Sequence, residues 1–227
     1  MKVRCARCGT AFSDDPKNFE TKVPAGAFYR QGEKDSAMSI ILASGSPRRK
    51  ELMGLFHIPF TIHAADIDET MDGAASPAEE TARVSFLKAG AVPRGEDDIV
   101  IAADTIVVCG GRILGKPRDE AEAREMLTLL SGRDHQVMTG CTVLRGEKRE
   151  TFTEITDLHF RPLTGREIED YVRTGEPMDK AGAYGIQGGG ALFCERMNGD
   201  YYNVMGLPVC RLGQTLKKLA PEFFDKT

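Results

Sequence analysis

Two groups of residues in this chain are spaced for chemistry on an anion. At Gly45-Ser46-Pro47-Arg48-Arg49 a short apolar run gives way to a serine, a proline and two arginines. Ser46 suits an N-cap and Pro47 the first helical position, so the unpaired N–H groups of a helix start point outward beside two guanidinium forks. Such a place takes phosphate. It matches neither G-x-x-x-x-G-K-[ST] nor G-x-G-x-x-G, so neither a P-loop nor a dinucleotide fingerprint is read here. The second group is a set of carboxylates: Asp66, Asp68 and Glu69 in one run, and Asp104 inside the apolar stretch I-V-I-A-A-D-T-I-V-V. An aspartate flanked this way is costly unless it is paired, hydrogen-bonded, on a metal, or at a strand bulge or edge. A hard cation such as Mg2+, held by one or two carboxylates plus substrate phosphates, would account for it, and a carboxylate can also accept a proton from attacking water.

Lysines recur in similarly punctuated places, Lys116 in L-G-K-P and Lys180 in D-K-A-G-A-Y-G-I-Q-G-G-G. Segment 182–190 carries five glycines around Tyr184 and Gln187. That composition fits backbone lying close to a ligand while an amide reads polar edges, and it also fits a plain flexible loop. Lys88, taken alone, reads as part of a solvated helix face. No G-x-S-x-G elbow or H-E-x-x-H is present, and His57, His63, His135 and His159 are scattered, which disfavours acyl transfer and leaves the histidines as structural or exposed.

The elements that must position these groups alternate. Strands are expected over 40–43, 60–64 and 99–108, the last turning at Gly110-Gly111 into a hairpin with Ile113-Leu114. Helices are expected over 47–56 and 77–91. The second opens on Ser76-Pro77-Ala78-Glu79, a capping box with proline at the first helical position. Asp119 with Glu122 starts another helix, whose Ala123, Met126, Leu127 and Leu130 keep helical spacing until Ser131-Gly132. Two long strands, 135–144 and 150–160, join at Arg145-Gly146; Thr164 with Glu167 caps a helix to about 173. A strand over 191–197 and a closing helix over 209–219 complete the chain. The pattern predicts an α/β fold with a single mixed sheet flanked by helices, and with a substrate cleft.

The 227 residues carry 30 Lys+Arg against 34 Asp+Glu, a formal charge of -4, with 41% hydrophobic and 28% charged residues. That composition is globular, and a net acidic chain is a poor general polyanion binder, so an anionic substrate must be met by a few local cations; no nucleic acid is expected. No apolar run approaches the roughly 18 residues of a membrane span, so no membrane partner and a cytoplasmic location are expected. Cys109, Cys141, Cys194 and Cys210 lie far apart among apolar or small residues and read as reduced core residues. Cys5 and Cys8 form one C-x-x-C where a structural zinc site needs four ligands, so the pair is half a knuckle, completed only across a dimer, or belongs to a loose tail. Residues 1–37 read as an extension, polar and without apolar period, and 38–227 as the functional domain.

The ordered motifs identify a family resemblance. L-A-S-G-S-P-R-R at 42–49, I-D-E at 67–69, A-D-T at 103–105, L-G-K-P at 114–117, L-S-G at 130–132, H-Q-V-M-T-G at 135–140, T-G-E-P-M-D-K-A-G-A-Y-G-I-Q-G at 174–188 and N-V-M-G-L-P at 203–208 together resemble the Maf family of nucleoside triphosphate pyrophosphatases. The resemblance covers about 38–220. It implies hydrolysis of a nucleoside triphosphate to the monophosphate and pyrophosphate with a divalent cation, Mg2+ or Mn2+, as a house-cleaning activity, and a homodimer. Carried over, Asp104 would accept the proton of the attacking water, Glu69 would serve metal or water together with Asp104, and Ser46, Arg48, Arg49, Lys88 and Lys116 would surround the phosphates. In the branch similar to dTTP/UTP pyrophosphatases, Arg49, Thr105 and Gln187 occupy the positions that bear on base choice, which favours that branch over the one acting on 7-methyl-GTP. The alternative is a nucleotide-binding regulator of cell division or septum formation without significant turnover.

Overall fold

The computed structural model describes residues 2–4, 11–13, 38–71 and 75–224. Strands β1 (Lys2–Arg4) and β2 (Ala11–Ser13) form an antiparallel pair. Cys5 and Cys8 lie outside the described residues. The main sheet has seven strands: β3 (Ile40–Leu42), β4 (Thr61–Ile62), β5 (Ile99–Cys109), β6 (Arg112–Leu114), β7 (Asp134–Arg145), β8 (Lys148–Phe160) and β9 (Cys194–Asn198). Its order is β4-β3-β5-β7-β8-β9, with β6 on β5. β3 runs parallel to β4 and β5, whereas β6 and β9 pair antiparallel with β5 and β8, so the sheet is mixed as expected.

The chain divides into two compact units, one of residues 1–104, 140–153 and 209–227, the other of 105–139 and 154–208. β5, β7 and β8 therefore each contribute residues to both. In the first unit lie the helices α1 (Pro47–Gly54), α2 (Pro77–Ala91) and α6 (Val209–Leu219); in the second, α3 (Glu120–Leu130), α4 (Gly165–Val172) and α5 (Tyr201–Met205).

α2 is the element that most needs placing, and it is held both by its cap and along its length. Ser76 accepts from the Glu79 N–H, and the Glu79 carboxylate accepts from the Ser76 N–H at 2.9 Å, so both halves of the capping box form. Mid-helix, a Cβ on Gly140 of β7 would collide with the Thr81 carbonyl. Glycine there lets helix backbone lie directly on strand backbone. Hydroxyls finish the attachment: Ser85 bonds Thr142 at 2.8 Å, and Thr153 donates to the Ala78 carbonyl at 2.7 Å. Ile41, Ala43, Phe86, Ala89, Val92, Val100, Ala102 and Leu144 form the apolar layer around this contact. In the second unit a larger core gathers Met126, Leu127 and Leu130 of α3, Ile168, Tyr171 and Val172 of α4, and the aromatic residues Phe160, Tyr184 and Phe193.

Three expectations are corrected, and one short helix lies where none was expected. The strand over 60–64 shrinks to Thr61–Ile62, both residues exposed, because only Ile41 and Leu42 are there to pair with it. The strand over 191–197 begins at Cys194, since Gly189–Phe193 winds into a 3-10 turn with Ala191 N–H donating to the Gly188 carbonyl at 3.1 Å. α5 has only five residues, too few for an apolar period to show; Asp200 caps it through the Tyr202 N–H and Gly206, at φ 107°, ends it. Cys210 is exposed rather than in the core, because α6 turns Leu212, Leu216 and Leu219 inward; Cys109 and Cys141 are buried as read, and Cys194 is half-buried. No described helix is long and apolar enough to cross a membrane.

Candidate active site

In the first unit, β5 and α2 bring an acid and a base together. Asp104 interrupts an otherwise apolar strand and is 6% exposed, and Lys88, three residues from the end of α2, is 7% exposed. The Lys88 ammonium donates to Asp104 Oδ1 at 2.7 Å and pairs with Glu69 Oε2 at 2.9 Å. The cost of placing Asp104 in the sheet is thus met by a charge partner rather than by a bulge or edge. Lys88 does not lie on a solvated face: the periodicity that suggested one misses that this turn of α2 faces β5.

The Glu69 loop has its own anchor. Glu80, 2% exposed, accepts from Arg83 Nε at 3.1 Å and Nη2 at 2.8 Å, and the same Nη2 donates to the Thr70 carbonyl at 2.9 Å. Asp68 is occupied locally, accepting from the Thr70 N–H at 2.9 Å and hydroxyl at 2.5 Å, and these bonds hold its carboxyl below the ordinary carboxylate range. Of the acidic run, then, Glu69 is the residue delivered to Lys88, while Asp66 is exposed.

α1 opens at Ser46 with Pro47 in its first turn, and Ser46 makes no side-chain cap bond, so its hydroxyl does not compete for the helix N–H groups. Arg49 Nη1 donates to the buried Ser44 hydroxyl at 3.2 Å, which aims the guanidinium across the first turn. Enclosure of that guanidinium pushes its pKa down, and the carboxylates of Asp104 and Glu69 push it back up, so Arg49 senses the same two acids as Lys88. Arg48 neighbours it and is half-buried.

The second unit carries Thr105, Lys116 and Gln187. Thr105, one residue beyond Asp104, bonds the Thr139 hydroxyl at 3.0 Å. Thr139 in turn donates to the Asn203 carbonyl at 3.0 Å, and the buried Asn203 amide donates to Val137 O and Thr156 Oγ1, both at 3.0 Å. Lys116 is exposed, beside a Gly115 carbonyl that accepts from the Gly182 N–H at 3.0 Å, so its loop is tied to the glycine-rich segment. Gln187 is exposed at the tip of that segment. Thr139, Asn203 and the Glu80–Arg83 pair went unremarked in the sequence as individual residues. Two of the quoted motifs, H-Q-V-M-T-G and N-V-M-G-L-P, contained the first two.

The segment's glycines have a use that their composition does not show. A Cβ on Gly182 would lie 2.8 Å from Val107 Cγ2, one on Gly185 would lie 2.7 Å from Lys180 Cε, and one on Gly188 would overlap the Glu176 carboxylate. They make room for this chain's own side chains.

The two carboxylates Glu69 and Asp104 converge on one cation, the Lys88 ammonium, and that donor chemistry fits a hard divalent ion. Among the described residues no group of three or more His, Cys, Asp and Glu side chains is disposed to hold a metal, so phosphate oxygens would have to complete the coordination.

A family model described as Maf-like protein matches residues 39–219. A protein from Bacillus cytotoxicus named dTTP/UTP pyrophosphatase is 51% identical over 179 residues, covering 78% of this chain and 94% of its own. A Bacillus cereus protein of the same name is 49% identical over 187 residues, covering 82% of this chain and 92% of its own. Among solved structures, a HAM1 protein from Coxiella burnetii overlays 80% of this chain and all of its own at 15% identity, with a TM-score of 0.45.

Proposed function

Because this chain belongs to the Maf family, on the match across residues 39–219 and relatives about half identical over most of its length, we propose that it hydrolyses dTTP and UTP to the monophosphate and pyrophosphate. The observation that carries the chemistry is the meeting of Asp104, Lys88 and Glu69. A buried carboxylate beside an ammonium can accept the proton of an attacking water, while the ammonium offsets negative charge that builds on phosphate. Water adds its oxygen to phosphorus, the α–β anhydride bond breaks, pyrophosphate departs with the bonding pair, and the water proton passes to Asp104. Lys88, Arg48, Arg49 and Lys116 share the remaining phosphate charge, with Ser46 and the first-turn N–H groups of α1 as neutral donors. Family members are generally divalent-metal dependent, and Glu69 with Asp104 would hold Mg2+ or Mn2+, which supplies further charge neutralisation on the phosphates.

Base choice falls to Arg49, Thr105 and Gln187 in this reading. The fixed Thr105–Thr139–Asn203 chain supports it, since a hydroxyl that discriminates bases must not rotate freely. The reading also takes residues 38–227 as the enzyme, 1–37 as an extension, and a cytoplasmic homodimer as the working form.

Purified full-length protein with Mg2+ or Mn2+ and a nucleotide panel tests it. Pyrophosphate release fastest from dTTP and UTP, and abolished by chelation, is expected; tight triphosphate binding without turnover would replace the enzyme by a nucleotide-sensing regulator. Light scattering checks the dimer.

A further inference from the structure

Glu176 does something that neither its loop position nor its charge announces. Its Oε2 accepts from the Gly189 N–H at 3.0 Å, and its Oε1 accepts from the Tyr171 hydroxyl at 2.9 Å. The Tyr171 oxygen then accepts from the Gly185 N–H at 3.0 Å. One carboxylate and one phenol therefore hold both ends of the stretch 185–189, which carries Gln187. The other contacts agree. Lys180 Nζ donates to the Glu176 carbonyl at 2.6 Å and to Asp179 Oδ1 at 2.7 Å, fixing the start of the segment. Gly185 and Gly188 are the positions where a Cβ would strike the Glu176 side chain, and a Cβ on Gly190 would lie 2.8 Å from the Gly185 carbonyl. Burial and the adjacent carboxylate push the Tyr171 hydroxyl up, so it stays protonated and able to donate.

We propose that Glu176, acting through Tyr171 and the Gly185 and Gly189 amides, is a positioning residue for nucleotide selectivity: it holds the glycine-rich segment in the one conformation that presents Gln187 to the base. The inference rests on the reading of Gln187 as a base-contacting residue. The Glu176 carboxylate bonds Tyr171 and Gly189 within the second unit, so its effect is expected to enter through recognition rather than through the bond-breaking step. A glycine-rich segment with five freely rotating positions would lose selectivity to entropy; tying one of its amides to a packed tyrosine and another to the Glu176 carboxylate removes that freedom.

The test is a double-mutant cycle between Glu176→Ala and Gln187→Ala in the full-length protein, read as kcat and KM for dTTP, UTP, dCTP and GTP. Glu176→Ala is expected to raise KM for dTTP and UTP about tenfold, to change kcat by less than threefold, and to narrow the preference over dCTP and GTP. In the Gln187→Ala background it should change the preference no further. Tyr171→Phe, which removes the hydroxyl while keeping the ring in the core, should shift the preference in the same direction and stands in if Glu176→Ala does not fold. An unchanged preference in the Glu176 and Tyr171 variants, with Gln187→Ala altering it, overturns the positioning role alone. An equal loss for all four nucleotides, or additive effects in the cycle, overturns it too. If Gln187→Ala leaves the preference intact, the base-contact reading fails and the inference built on it falls with it.

Discussion

The region around Lys88 and the segment around Glu176 solve opposite problems with similar side chains. At Lys88, two regular elements, α2 and β5, are rigid by themselves, and their packing forces charged groups out of water; the ion pair answers a cost that the backbone imposes. At Glu176 the backbone has no regular structure of its own over 184–188, and the charged side chain imposes order on it by accepting from its amides. In the first region the scaffold holds the chemistry. In the second a side chain holds the scaffold. Loss of a side chain should therefore remove rate in one region and discrimination in the other.

Asp104→Asn puts the sharpest stress on that contrast. It keeps the shape of the site and removes the proton acceptor, so kcat should fall by about a thousandfold, the range of a lost general base, and by the same factor for every nucleotide. Pyrophosphate release across the panel checks it; a changed preference would show that the two regions do not divide their work as described. Lys88→Met comes next. It strands Asp104, whose buried carboxylate is paired with the Lys88 ammonium at 2.7 Å, and removing one member of a buried pair costs about 3 kcal/mol, read as a lowered urea midpoint alongside lost turnover.

In the second region, His135 is 3% exposed, bonded to the Tyr184 hydroxyl at 3.0 Å and edge-on to Phe160; burial pushes its pKa from 6.5 down to about 4. The unfolded chain takes up that proton more readily than the folded one, so stability is full above about pH 6.5 and declines as pH falls toward 4. The loss at pH 4 should reach about 3 kcal/mol. His135→Gln should flatten this part of the Tm-against-pH curve. Gly188→Ala should cost about 1–3 kcal/mol and narrow nucleotide preference, because its Cβ displaces the Glu176 carboxylate. Gly165→Ala, where a Cβ meets nothing within 4 Å at the start of α4, should stabilise by less than about 1 kcal/mol and leave both rate and preference alone.

The contrast also explains what could be read in advance. α2 announced itself through Ser76 and Glu79, β5 through its unbroken apolar run, and Asp104 through the expense of its position, because local caps, periodicity and desolvation all act over a few neighbouring residues. Lys88 was legible as a site residue only by family resemblance, since its burial depends on what α2 packs against. Glu176 was not legible as an individual at all. Its partners are a tyrosine five residues before it and an amide thirteen residues after it, and a carboxylate in T-G-E-P reads as a solvated turn. The glycines around Gln187 were conspicuous, but composition alone does not show that their missing side chains accommodate Glu176 and Lys180.

Gly140 has a mechanical meaning as well. Where a helix rests on a sheet through interlocking side chains, the layer between them can be compressed, expanded or refilled, and the helix rides up or down with it. At Thr81 and Gly140 no such layer exists, so α2 sits against a hard stop, and the reach from Lys88 to Asp104 is gauged by covalent backbone dimensions. Repacking Val84 or Leu87 would then alter how firmly α2 is held without altering how far its lysine reaches, and melting temperature and turnover should drift apart across a series of such variants.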